Sequence, residues 1–381
     1  MRIGVPMELV VGERRVALVP EVVSRLVGGG HRVVVECGAG GGAMISDVAF
    51  EEAGASVTED VAGVWRSDVV VKVAPPVADE VVRLGRGSVL IGFLAPLTNG
   101  EGVRALAAVG VTGFGLEVVP RISRAQSMDA LSSQSNVAGY RAVLMGAMEL
   151  GRFFPLLMTA AGTVRPASVL VLGAGVAGLQ AIATARRLGA VVVGFDVRAV
   201  VKEQVESLGA SFLEFDLGGD LEGEGGYAKE LTVEQRVRQQ VLMAEAIGRV
   251  DVVITTALVP GRRAPILVTE DAVKRMRPGS VVVDLAGEAG GNCELSVPGE
   301  TVIRHGVKIL APLNVPSMMA EHASQLYARN VEALLGLMVR DGELVLDFED
   351  EVIAGACVTR GGEIVHEGAK AAAGAGASAE E

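Results

Sequence analysis

The sequence predicts an α/β protein of two domains, each built on a mostly parallel sheet. Three observations carry that prediction. Short apolar runs alternate with helix-like stretches along the first third of the chain, and a strand–turn–helix–strand unit with three spaced glycines sits in the middle. The composition, 50% hydrophobic with 50 glycines but only 3% aromatic residues, suits close packing of Val, Ala, Leu and Gly between helices and sheets. At 381 residues the chain is long enough to bury two cores.

Arg2–Val5, Arg32–Glu36, Val69–Val73, Val89–Phe93 and Val111–Gly113 read as strands. Pro20–Gly28, Asp47–Ala53, Asp79–Leu84 and Gly100–Ala108 read as the helices between them. Short continuous apolar runs mark strands covered on both faces, and their alternation with helices implies parallel pairing. Ser135–Arg152 carries a long helical pattern with few breakers, suited to connecting two domains. Further on, Val200–Leu208 reads as a helix, and Ser211–Glu214, Asp251–Thr255, Ser280–Leu285 and Lys308–Ala311 as strands. A long helix over Ser317–Val339 could return the chain to the first domain. The expectation is a discontinuous first domain, 1–134 plus 318–368, facing a second, 135–317, across a cleft. Leu217–Glu230 is glycine-rich and acidic, readable as a functional flap or a solvated loop. Ala369–Glu381, small and low in complexity, reads as a flexible tail.

The middle unit carries the chemistry. Val169–Leu172 runs into Gly173-x-Gly175-x-x-Gly178, a helical pattern ends at Gly189, and a second apolar run, Val191–Phe195, stops at Asp196. Gly173 permits the tight turn, Gly175 lets backbone approach a pyrophosphate, and Gly178 lets helix pack on strand. The helix N-terminus offers unpaired N–H groups and a positive dipole end to phosphates. Asp196, 18 residues after Gly178, can accept from adenosine-ribose hydroxyls and would repel a 2′-phosphate. This Rossmann-like pattern favours NAD(H) over NADP(H), with Arg198 as the residue that could accommodate the extra phosphate.

Other classes are disfavoured. A formal charge of −12 argues against nucleic acid as a partner. Cys37, Cys293 and Cys357 are odd in number and far apart, so neither a disulfide framework nor a metal site is expected. No targeting segment is visible, and the uncharged window Pro166–Ala185 is explained by strand, turn and helix, so no transmembrane segment is expected.

With the GAGVAGLQAIATARRLGA run and the EGEGGYAKE stretch, Arg121–Val143 (RISRAQSMDALSSQSNVAGYRAV) closely resembles the NAD(H)-binding component of proton-translocating transhydrogenases. The wider superfamily includes alanine dehydrogenase, whose opening pattern Met1–Pro6 and Arg15 the chain shares. The resemblance implies a cytoplasmic homodimer lying peripherally on the inner membrane. It implies hydride transfer to NADP(H) on a partner subunit and a separate membrane-spanning proton-channel subunit. It implies that Arg121, Gln126, Asp129 and Ser132 surround the nicotinamide and its ribose. By the same carry-over Val176, Ala177 and Gly178 hold the pyrophosphate, and Asp196, Val197 and Arg198 surround the adenosine. Gly226 and Tyr227 would close over the nucleotide, with Gln239 and Leu258 completing the wall. Polar positioning groups rather than an acid–base pair suit hydride transfer, which moves no proton at the reacting carbon.

An alanine dehydrogenase is the alternative, since reductive amination needs a cation for the substrate carboxylate and a general acid. Of that family's residues Arg15 is present, but Ala74 stands for a lysine, Ala95 for a histidine and Glu288 for the aspartate. A subunit that senses NAD(H) without transferring hydride is a further alternative.

Overall fold

The structure, a computed structural model, describes residues 1–215 and 233–377. The chain divides into two compact units, Met1–Gln134 with Pro316–Glu381, and Ser135–Val315.

The first unit holds an eight-stranded sheet in the order Glu363–Ile364, Cys357–Arg360, Thr112–Gly115, Val89–Gly92, Val69–Val71, Arg2–Val5, Arg32–Glu36, Ser56–Thr58. The strands from Thr112–Gly115 onward in that order are parallel. Alternate residues explain why their sequences are apolar without a polar beat. Val69 and Val71 enter one buried cluster with Ile3 and Phe114, while Val70 and Leu90 enter another with Trp65 and Leu106. The strand order reverses between Arg2–Val5 and Val69–Val71, the position where doubly wound sheets open a crevice at their C-terminal edge.

The second unit repeats the plan in seven strands: Ser211–Phe212, Val191–Phe195, Ser168–Leu172, Val252–Thr255, Val281–Asp284, Val307–Leu310, Thr301–Arg304. Val169 and Val171 face one core, Leu170 and Leu172 the other. Its reversal lies between Ser168–Leu172 and Val252–Thr255, beside the glycine turn.

Several expectations change. Cys357–Arg360 pairs antiparallel with Thr112–Gly115, Thr301–Arg304 antiparallel with Val307–Leu310, and Leu157–Thr159 with Gly162–Val164 forms a small hairpin. The connector helix begins earlier, at Ala130, and the return helix later, at Ala320, after a 3-10 turn over Val315–Met319. A helix at Val233–Ile247 follows the undescribed stretch. The supposed flexible tail is helical from Glu367 to Ala377. Alanine is the strongest helix former, and small residues let two helices approach closely. Ala369 and Ala373 are buried, and a side chain at Gly100 would meet Ala372 and Ala373 backbone. Residues 378–381 of that tail lie outside the described residues. Among the described residues no helix is long and apolar enough to cross a membrane.

Candidate functional site

In the second unit the glycine turn follows its predicted logic. Gly173 adopts φ +99°, a left-handed backbone that a side chain would strain. A Cβ on Gly178 would collide with the Gly173 carbonyl oxygen, so helix Val176–Arg187 can press on its strand only with glycine there. Gly175 caps that helix, and a Cβ there would meet nothing within 4 Å. The space above the helix N-terminus is therefore open, as a pyrophosphate requires. Val176 is exposed, and Ala177 carries the backbone against which Gly139 of the long connector helix packs. A side chain at Gly139 would strike the Ala177 carbonyl, a constraint sequence reasoning missed.

Asp196 ends the next strand with a largely buried carboxylate. Its Oδ2 accepts the Ala174 N–H at 2.7 Å and an Arg198 guanidinium N–H at 2.9 Å. Its Oδ1 accepts the Arg198 backbone N–H and Nε–H, each at 2.9 Å. Burial pushes the carboxyl pKa up, but the Arg198 and Ala174 donors outweigh it and hold the group below its ordinary value. Arg198, instead of standing free, is thus engaged by the acid. Val197 is 63% and Leu258 56% exposed, apolar residues left facing outward where the strands end. Gln239 is half-buried on Val233–Ile247. Gly226 and Tyr227 lie outside the described residues.

Asn292, which the sequence reading overlooked, is fully buried and fixes the loop bearing Leu258. Its Oδ1 accepts the Ala257 N–H at 3.0 Å, and its Nδ2 donates to the carbonyls of Ala257 and Pro265 at 2.9 and 2.8 Å. The signal was a polar amide directly after Gly290-Gly291, two glycines with positive φ.

In the first unit Arg121 and Gln126 are exposed on a segment whose 3-10 turn spans Ser123–Met128. Asp129 caps the Ala130–Glu149 helix, accepting from Ser132 N–H at 2.9 Å and Ser132 Oγ–H at 2.6 Å. These two predicted site residues therefore also stabilise a helix start. Ala125 and Met128 anchor the same turn in the core.

The residues an oxo acid would need are otherwise committed. Lys72, 1% exposed, places Nζ 3.0 Å from Glu8 and 2.9 Å from Glu80. Arg15 pairs with Glu13 at 2.6 Å and donates to Gln134 Oε1 at 2.8 Å. Ala95 brings no acid, and exposed Glu288 accepts the Asn314 N–H at 2.7 Å. Burial pushes Glu8 up, against the pull of Lys72. Glu117 accepts from the Leu94 N–H at 2.8 Å and the Ala95 N–H through Oε1, while its buried Oε2 has no hydrogen-bond partner among the described residues. Burial raises its carboxyl to about 7, although backbone N–H groups pull the other way.

The chain matches the alanine dehydrogenase/PNT family in both domains, the N-terminal one over residues 4–138 and the C-terminal one over 142–367. It is 53% identical over 376 residues to the first portion of a divided NAD(P) transhydrogenase subunit alpha of Rhodospirillum rubrum, covering 96% of this chain and 98% of that one. To the alanine dehydrogenase of Bacillus subtilis it is 33% identical over 378 residues, covering 96% and 93%. A crystal structure of transhydrogenase from Sinorhizobium meliloti matches with a TM-score of 0.85 at 45% identity, over 96% of this chain and 99% of that one.

Two outcomes are expected. Lys72→Met leaves Glu8 and Glu80 buried without their cation, at a cost of about 3–5 kcal/mol. Urea unfolding should show a lower midpoint, and an unchanged one would refute the buried pairing. Glu117 binds its proton more tightly folded than unfolded, so stability falls as pH rises from about 4.5 to about 7 and then levels. Glu117→Gln should remove that slope, on the order of 2–3 kcal/mol, in unfolding curves taken at pH 4, 6 and 8.

Proposed function

Because this chain belongs to the alanine dehydrogenase/PNT family, we propose that it is the NAD(H)-binding component of a proton-translocating NAD(P) transhydrogenase. It works as a homodimer on the cytoplasmic face of the membrane. Its partners are an NADP(H)-binding subunit and a membrane-spanning subunit that conducts protons.

The observation that carries this over the dehydrogenase reading is the commitment of Lys72 to Glu8 and Glu80 together with the absence of any acid at Ala95. A reductive amination would need a free cation and a proton donor there. Hydride transfer between nicotinamides needs neither. The name and coverage of the R. rubrum relative support the same reading.

The glycine turn would hold the pyrophosphate through open backbone at Gly175 and the helix N-terminus at Val176, Ala177 and Gly178. Asp196 would accept from the adenosine ribose, with Val197, Arg198, Gln239 and Leu258 beside it. Arg121, Gln126, Asp129 and Ser132 would orient the nicotinamide end, with Gly226 and Tyr227 covering the nucleotide. Bound NADH supplies the hydride, two electrons with one hydrogen, that reduces NADP⁺ on the partner. The protein's part is to hold the ring still and dry in the near-attack geometry, a contribution that can reach several kcal/mol of barrier.

Added to membranes that carry the partner subunits but lack this one, the purified chain should restore reduction of an NAD analogue by NADPH. Firm NADH binding without restored activity would favour the sensing role. Asp196→Asn should weaken NADH binding roughly tenfold, as expected for loss of a charged hydrogen bond worth about 1.5–3 kcal/mol. It also releases Arg198, so NADPH affinity should rise. Fluorescence titration with both nucleotides tests this, and unchanged affinities would sink the assigned role of Asp196. Gln126→Asn should spare NADH binding and slow transfer, and equal rates in variant and parent would remove Gln126 from the site.

A further inference from the structure

We propose that Asn330 is a positioning residue for the segment that orients the nicotinamide, acting on Gln126 and Ser132 through their chain neighbours. The inference rests on the reading that this segment meets the nicotinamide.

Asn330 lies in the helix Ala320–Met338 and is 7% exposed. Its Nδ2 donates to the Ser127 carbonyl at 2.8 Å, and its Oδ1 accepts from Ser133 Oγ–H at 2.7 Å. Ser127 follows Gln126 and Ser133 follows Ser132 in the chain. One buried amide therefore ties the end of the 3-10 turn to the first turn of the helix after it. Asp129, between them, spends its carboxylate on Ser132.

Each partner is chemically specific. The Ser127 carbonyl can only accept, so the amide must present its NH₂ there. The Ser133 hydroxyl then donates to the remaining oxygen. The orientation of Asn330 is thus set by its surroundings, and it returns that constraint to two points 197 and 203 residues away in sequence. A 3-10 turn has poor internal hydrogen bonds and depends on such outside anchors for its position. Gln134 reinforces the same edge, donating to the Ala323 carbonyl at 3.0 Å and accepting from Arg15. Gln126 itself is exposed, so the buried amide is the fixed part and the outward side chain the working part.

Every bond in this network lies within the unit Met1–Gln134 with Pro316–Glu381, whereas the glycine turn and Asp196 belong to Ser135–Val315. Loss of Asn330 should therefore affect the nicotinamide end of the nucleotide and spare the adenosine end. A misplacement of about 1 Å can cost on the order of a hundredfold in rate.

The test compares Asn330→Ala, Asn330→Asp and Ser133→Ala with the parent chain. Asn330→Asp keeps the acceptor for Ser133 but sets a carboxylate against the Ser127 carbonyl. Ser133→Ala cuts one bond and leaves the buried helix residue in place, so it decides the matter even if the Asn330 variants do not fold. Two quantities are read. One is the affinity for NADH relative to ADP-ribose, which lacks the nicotinamide, on the full chain alone. The other is the hydride-transfer rate at saturating nucleotide in the reconstituted complex. We expect ADP-ribose affinity within about twofold of the parent, a smaller NADH preference, and transfer slowed about 10- to 100-fold, with Ser133→Ala milder. An unchanged NADH preference in folded variants overturns the proposal, as does a parallel loss of ADP-ribose and NADH affinity. If the parent transfers no hydride yet its NADH preference shrinks in the variants, the positioning role stands and the transhydrogenase reading falls.

Discussion

A side chain at residue 178 would occupy the space of the Gly173 carbonyl oxygen, so the helix Val176–Arg187 lies against its strand only while that position is glycine. The rest of the second unit is arranged around this approach. It brings a helix N-terminus to the edge where the strand order reverses, and it leaves the space over Gly175 open. Thr256 Oγ1 donates to the Gly173 carbonyl from the next strand's end, at 3.1 Å. Gly139 lets the connector helix reach the same turn, and Asn292 fixes the loop beyond it. Asp284, fully buried, accepts from Thr255, Ala286, Cys293 and Ser296 and holds the neighbouring strand end. The binding surface is mostly backbone, and the polar side chains behind it are there to keep that backbone in place.

The first unit uses the same strand order for a different purpose. At its reversal point stand charged groups rather than an open glycine turn, and these groups neutralise one another. Lys72 is shared by Glu8 and Glu80, and the buried Tyr327 donates its hydroxyl to the Lys72 carbonyl at 2.6 Å. Buried charges are tolerable only when paired and hydrogen-bonded, and the backbone N–H groups of Val73 and Val77 complete the set. The crevice is thereby made rigid rather than reactive. That fits a chain whose contribution is to hold a nucleotide still.

How much of this the sequence discloses depends on the range of the interaction. The glycine turn was legible because all its components fall within about thirty residues and each glycine has a local cause. The parallel strands were legible because a strand buried on both faces must be apolar throughout. The antiparallel strand Cys357–Arg360 was not, since its partner lies more than two hundred residues away and its residues look like any short apolar run. The alanine-rich C-terminus was misread because low complexity marks both a loose tail and a helix narrow enough to lie on Gly100. Asn292 and Asn330 were invisible for a related reason. A polar residue in a helix or loop reads as solvated until the fold shows what its amide touches. The pairing of Asp196 with Arg198 needed only two residues of separation, yet it depends on rotamers that spacing does not specify.

The strand Cys357–Arg360 has a consequence for how the protein is made. Residues 135–315 are contiguous and hold every strand of their own seven-stranded sheet. They can pack as soon as they leave the ribosome. The amino-terminal strands emerge first but receive the Ala320–Met338 helix and the final hairpin only at the end of translation. Domains fold as units during synthesis, and exposed strand edges invite wrong pairing while they wait. The stretch synthesised first is therefore the last to finish folding, with the Thr112–Gly115 edge open for most of the time between.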